Sequence, residues 1–124
     1  MSGSLQYLYM NERRALDHCV IRLYQTLGEQ VVGLWLFGSK SRGDYDADSD
    51  IDLLAIIRTM DWSVWHLIRM IAAECSLEYD VLFNVHIVDI VRWNEETRCH
   101  GTLWRAVQRD GVSLVPETAL VARQ

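Results

Sequence analysis

The stretch 31-VVGLWLFGSKSRGDYDADSDIDLLAII-57 decides the fold of this chain. It holds two apolar runs, VVGLWLF at 31–37 and DIDLLAII at 50–57, each of strand length and each reading as a buried strand. The polar segment between them, residues 38–49, is too short for a full crossover helix, so the two strands are expected to pair antiparallel. A short helical turn is predicted inside that loop. Aspartates stand at 44, 46, 48, 50 and 52. Asp44, Asp46 and Asp48 read as solvated loop residues, with Asp44 also placed to end the helical turn. Asp50 and Asp52 differ, because they stand at the entrance to an apolar strand.

Residues i and i+2 of a strand point to the same face. Asp50 and Asp52 therefore aim their carboxylates the same way, while Ile51 points into the core. Two like charges this close repel, and one pKa rises unless a counter-charge is present. A divalent cation resolves the conflict; Mg²⁺ takes one or two carboxylates together with water and phosphate oxygens. Antiparallel pairing brings Gly38 and Ser39 beside this pair. Gly38 lets backbone approach a ligand closely. Ser39 offers a hydroxyl, the amides that follow offer an anion-binding concavity, and Lys40 or Arg42 would add positive charge. A phosphate donor next to a carboxylate-bound metal is the layout for phosphoryl or nucleotidyl transfer.

Working outward, residues 11–27 read as a helix capped by Asn11 and stopped at Gly28, with Leu16, Val20, Leu23 and Leu27 as its apolar stripe. Residues 61–77 read as a second helix, capped by Asp61. Residues 80–90 (DVLFNVHIVDI) read as a third strand, and 93–110 as helix broken near Gly101. VSLV at 112–115 would add a short edge strand. The second and third strands, joined through a helix, are expected to be parallel, with a right-handed crossover. The expected fold class is α/β (α+β), a small mixed β-sheet flanked by helices. The expected organisation is an N-terminal extension over 1–10, one domain over 11–115 and a tail over 116–124.

The bulk properties bound the function. The chain has 124 residues, half of them hydrophobic, an ordinary globular composition for one domain. Its net charge of −5 argues against extended nucleic-acid binding, which needs a basic face. No apolar run is long enough for a membrane span, and the first residues do not form a signal peptide. Cys19, Cys75 and Cys99 have no metal-ligand spacing and read as buried or semi-buried free thiols of a cytoplasmic protein.

Phe37-Gly38-Ser39, ten residues, then Asp50-Ile51-Asp52-Leu53 resembles the signature of the polymerase-β-like nucleotidyltransferase superfamily. The element order is similar over roughly residues 11–115. The chain looks most like the minimal nucleotidyltransferases, small stand-alone catalytic domains. The resemblance implies that Gly38 and Ser39 hold a nucleoside triphosphate, ATP by default, and that Asp50 and Asp52 bind catalytic Mg²⁺. It further implies transfer of a nucleoside monophosphate to a hydroxyl, with release of pyrophosphate.

The family usually adds an acidic residue on the next strand. Asp80 and Asp89 both have apolar neighbours on either side. If the second and third strands start level, Asp80 lies beside Asp50 and Asp52, whereas Asp89 lies about 30 Å further along. Asp80 is therefore the expected third metal ligand and the general base. The same strand face carries Asn84 and His86, which would face the metal if Asp80 does not.

Larger relatives carry a second domain that grips the acceptor, and this chain is expected to be too short for one. Acceptor choice would then come from a partner or from self-association as a homo-oligomer. Minimal domains of this kind resemble the antitoxin half of a toxin–antitoxin pair with a HEPN-type partner, which they adenylylate, cover, or both. Two further readings compete. One is a catalytically weak or inactive module that works by covering a partner. The other is nucleotidyl transfer to a small molecule or RNA, for which no basic or aromatic groove lines up.

Overall fold

The computed structural model describes residues 3–43 and 50–115. The readings of Asp44, Asp46 and Asp48 and of the 116–124 tail fall outside these residues. After a 3-10 turn at Leu5–Tyr7, the chain forms α1 (Met10–Leu27), β1 (Val31–Phe37), α2 (Ser39–Arg42), β2 (Ile51–Ile57), α3 (Trp62–Tyr79), β3 (Phe83–Asp89), α4 (Ile90–Cys99), α5 (Thr102–Asp110) and β4 (Val112–Ser113). The sheet order is β3-β2-β1-β4. β1 pairs antiparallel with β2 and β4, and β2 pairs parallel with β3, as the connection lengths required.

The central strand explains its own sequence. On β2, Ile51, Leu53, Ala55 and Ile57 enter a core shared with Leu16, Cys19, Val20 and Leu23 of α1 and Ile68, Ile71 and Cys75 of α3. Leu54 and Ile56 point the other way, into a second core with Phe37 and Val107, against which Trp93 of α4 and Leu103 of α5 pack. Helices thus cover both sheet faces, and a strand buried on both faces reads as a continuous apolar run. Asp52 lies on the α4/α5 face, at the end where apolar cover stops.

Several boundaries differ from the sequence reading. Residue 9, not Asn11, precedes the first helical turn, and the Glu12 carboxylate accepts the Tyr9 N–H at 2.8 Å. Asn11 instead donates to the Tyr79 carbonyl at 3.0 Å, tying α1 to the end of α3. Residues assigned to an extension pack on the body: Leu5 and Leu8 lie against the first core, and the Ser4 N–H donates to the Ser41 carbonyl at 2.9 Å. α3 runs two residues past its expected end and closes on Asp80, in the left-handed conformation (φ 56°). β3 therefore begins at Phe83, not at 80. The predicted last helix is broken at Gly101, and its first part starts earlier, at Ile90, where the Asp89 carboxylate accepts the Arg92 N–H at 2.8 Å. The cysteines are free; Cys19 and Cys75 are buried, but Cys99 is exposed. Among the described residues no helix is long and apolar enough to cross a membrane.

Candidate active site at the end of the sheet

Asp52 stands between β1 and β3. Phe37 is its partner on β1, so the chain leaves that strand at Gly38, directly beside it. Gly38 has φ 84° and ψ −162°, which side-chain-bearing residues avoid, and a Cβ at Gly38 would collide with Asp52 Oδ2. Two separate constraints therefore require glycine here. Ser39, half-buried, opens α2 next to it. Asp50 precedes β2 on the face of Asp52 and is exposed.

On the other side of Asp52, the parallel register sets Asn84 opposite it. The Asn84 amide donates to Asp52 Oδ1 at 2.9 Å. His86 Nε2 lies 4.0 Å from the same oxygen, and the His86 ring sits 5.3 Å from that of Phe37. Burial pushes the Asp52 carboxyl above its ordinary value, and the charge of Asp50 acts in the same direction. The Asn84 hydrogen bond, His86 and Arg42 oppose this rise.

The third-carboxylate expectation needs correction. Asp80 caps α3, exposed and outside the ladder, three residues before Phe83 meets Ile51. The α3 helix outlasts its apolar pattern by the turn that Asp80 terminates, and this shift takes Asp80 off the strand. Asp89 is opposite Ile57, at the far end of the sheet, where it caps α4. The strand position beside Asp52 holds Asn84 instead.

Lys40 is a second correction. The sequence offers its charge to a phosphate, but its side chain is 0% exposed, with Nζ 2.5 Å from Glu12 Oε2 and 5.3 Å from the centre of the Tyr9 ring. A buried ammonium needs a charged partner, and Glu12 of α1 supplies it. Lys40 therefore ties α2 to α1. Arg42 stays at the site: its guanidinium lies 3.0 Å from Asp110 Oδ2 and bears on the charge of Asp52.

Asp110 is the residue the sequence reading missed. It ends α5 and is 1% exposed. Its Oδ2 accepts the Gly38 N–H at 2.7 Å and Arg42 at 3.0 Å, and its Oδ1 accepts Arg109 Nε at 2.8 Å. Its carbonyl accepts the Ser41 hydroxyl at 2.6 Å. One carboxylate thus holds the Gly38 turn from beneath and orients Arg42. The signal available in the sequence was an acidic residue in the last turn of a helix, where the macrodipole disfavours it; such a residue needs a compensating partner.

The site can be tested for a metal on its own chemistry. Among the described residues no cluster of three acidic, histidine or cysteine side chains could cage an ion. Asp50 and Asp52 on one face, with glycine rather than a side chain against Asp52 Oδ2, leave a two-carboxylate edge. That edge fits Mg²⁺, which completes its shell with phosphate and water oxygens, and does not fit an all-protein cage.

Comparison with known proteins agrees with this reading of the fold. The nucleotidyltransferase domain family matches residues 20–101. Two proteins of Methanocaldococcus jannaschii, each named "putative protein adenylyltransferase", are similar in sequence. One is 44% identical over 50 residues, 40% of this chain and 50% of that protein; the other is 33% identical over 75 residues, 60% of this chain and 71% of that protein. The match to the first thus spans only half of that relative's length. Among solved structures, a toxin–antitoxin with AMP-PNP superposes with a TM-score of 0.51 at 25% identity, over 80% of this chain and 72% of that one.

Proposed function

Because the chain belongs to the nucleotidyltransferase domain family, we propose that it transfers a nucleoside monophosphate, AMP from ATP, to a hydroxyl on a partner protein. The observation that carries this reading is Gly38 seated against Asp52, with Asp50 on the same face. The names of the two archaeal relatives support a protein acceptor, and the solved toxin–antitoxin with AMP-PNP supports an adenine nucleotide and a protein partner. A HEPN-type toxin is the partner this reading proposes.

In this reading Asp50 and Asp52 would hold Mg²⁺, Gly38 would admit the triphosphate close to the backbone, and Ser39 would hydrogen-bond a phosphate oxygen. Bound Mg²⁺ would supply charge neutralisation for the phosphate oxygens. Arg42, fixed by Asp110, adds positive charge at the rim. The acceptor oxygen forms a bond to the α-phosphorus, the bond to pyrophosphate breaks, and pyrophosphate leaves. A loose transition state demands little prior deprotonation of the acceptor. With Asn84 in place of an acid on β3, the hydroxyl proton passes to solvent at the exposed rim beside Asp50.

That same asparagine favours a second reading, in which the chain binds nucleotide and covers its partner without turning over. Thermal stability in a titration with ATP and Mg²⁺ tests the shared part. At a hundredfold excess over Kd, the wild type should gain about 2.7 kcal/mol, and Asp50→Asn should lose most of that gain. An equal gain in Asp50→Asn sinks the metal assignment. Pyrophosphate release with a partner present then separates transfer from covering.

A further inference from the structure

Two arginines share the buried carboxylate of Asp110, one on each oxygen: Arg42 on Oδ2 at 3.0 Å and Arg109 on Oδ1 at 2.8 Å. They differ in exposure, the Arg42 side chain being 34% exposed and that of Arg109 64%. Arg109 lies among the exposed positions of α5, with Arg105 and Gln108. Its guanidinium nevertheless turns back to Asp110, and it does so through Nε alone. Among the described residues neither of its Nη groups has a partner. A guanidinium anchored at Nε keeps its two Nη groups as a pre-set fork, the geometry that grips a phosphate through two N–H groups.

The fork stands next to the Gly38 turn. Hydrogen bonds of 2.7 and 2.8 Å across one carboxylate keep Arg109 Nε within about 8 Å of the Gly38 nitrogen. Gly38 divides two edges, because its Cα abuts Asp52 Oδ2 and its N–H points to Asp110. Arg42 reaches towards the acidic pair, where its charge bears on Asp52. Arg109, on the other oxygen of Asp110, extends the positive edge. Charge gives a reason for two cations here. A carboxylate behind a phosphate-binding turn repels phosphate, and one guanidinium only cancels it; a second turns repulsion into attraction.

We propose that Arg109, set in place by Asp110, is a second phosphate-binding residue of this site and grips, with Arg42, the β- and γ-phosphates that leave as pyrophosphate; the assignment rests on the nucleotide reading above. As the bond from the α-phosphorus to its bridging oxygen breaks, the electron pair moves to pyrophosphate. The two guanidinium groups stabilise that charge. Asp110 is then a positioning residue, acting through both arginines. Triphosphate and free pyrophosphate feel Arg109, and a monophosphate does not.

Titration calorimetry with ATP, AMP and inorganic pyrophosphate, each with Mg²⁺, tests this on the wild type, Arg109→Gln and Arg105→Ala. Glutamine keeps an N–H within reach of Asp110 but has neither charge nor fork. Arg105 is exposed one turn earlier on α5 and controls for net charge. Arg109→Gln should lose about tenfold or more in affinity for ATP and pyrophosphate, keep its AMP affinity within about twofold, and leave Arg105→Ala as the unchanged control. A role confined to balancing Asp110 would disturb the turn and weaken AMP in the same proportion, and that result overturns the proposal. So does unaltered ATP and pyrophosphate binding in Arg109→Gln, or an equal loss in Arg105→Ala. The wild type gives a separate reading should the variant not fold. Its Arg109 Nε–H resonance should shift on addition of Mg²⁺-pyrophosphate, and an unmoved resonance also overturns the proposal. Pyrophosphate binding through Arg109 without an Asp50-dependent response to Mg²⁺-ATP would sink the nucleotide reading and leave the anion site. ATP binding that ignores Arg109 does the reverse.

Discussion

Asn84 puts a neutral donor where a third carboxylate would complete a metal cage. Its amide lowers the energy of the charged Asp52 without adding negative charge to the apo site. Asn84→Asp should exchange these properties. A further unit charge within contact distance of a bound divalent ion would tighten Mg²⁺ by at least about tenfold, roughly 1.4 kcal/mol. Repulsion from Asp52 would lower the thermal stability of the metal-free variant. Titration calorimetry and melting of the same protein check both signs. Asp52 also sets a pH dependence. Its folded pKa is raised by burial, so its contribution to stability is fully present below the unfolded value near 3.8 and is lost as pH rises through the folded value. In metal-free buffer, Asp52→Asn should therefore be the more stable protein at pH 7, and the advantage should vanish towards pH 3. Urea denaturation across that range measures it; a constant difference would refute the assignment.

One helical turn too short to persist alone, α2, is held from two longer helices. α2 has four residues, and Lys40 and Ser41, both buried, face α1 and α5 respectively. Removing one member of a buried pair leaves an unmatched charge and costs about 3–5 kcal/mol, whereas replacing both by apolar residues is often near neutral. Glu12→Gln should accordingly lower the urea midpoint strongly, and Glu12→Leu/Lys40→Met should recover most of the loss. The double variant should retain the Mg²⁺-ATP response, because Lys40 is fully buried against Glu12. The expectation that Lys40 binds phosphate came from its place in a glycine-serine segment. Sequence proximity cannot tell which side of one helical turn a side chain occupies.

Across the whole molecule, β2 joins two cores, and Leu54 on the α4/α5 face is fully buried. That face positions α5, and α5 carries Asp110 under the Gly38 turn. Leu54→Ala should cost about 2–5 kcal/mol and weaken nucleotide binding, although Leu54 touches none of the proposed ligands. Added Mg²⁺ and ATP should return part of the lost stability through binding to the folded state. Denaturation with and without ligand measures the coupling; full loss of stability with undiminished affinity would separate the core from the site.

The alternation of apolar residues, the loop between 37 and 51 and the two aspartates at i and i+2 are local facts, and they sufficed for the strand pairing and for the Gly38–Asp52 neighbourhood. Strand period and connection length act over a few residues, so a linear pattern carries them. Asp80, Lys40 and Asp110 depended on more distant relations. Where α3 stops decided which β3 residue meets Asp52, and how α1 and α5 pack decided which charges are buried together. Asn84 was visible as a polar residue on the right face, but only the parallel register, Asp52 against Asn84, gave it a role. The sequence by itself determined the fold class and the acidic pair. The tertiary structure decided the charges around that pair, because a buried ion is stable only beside the partner that packing brings to it.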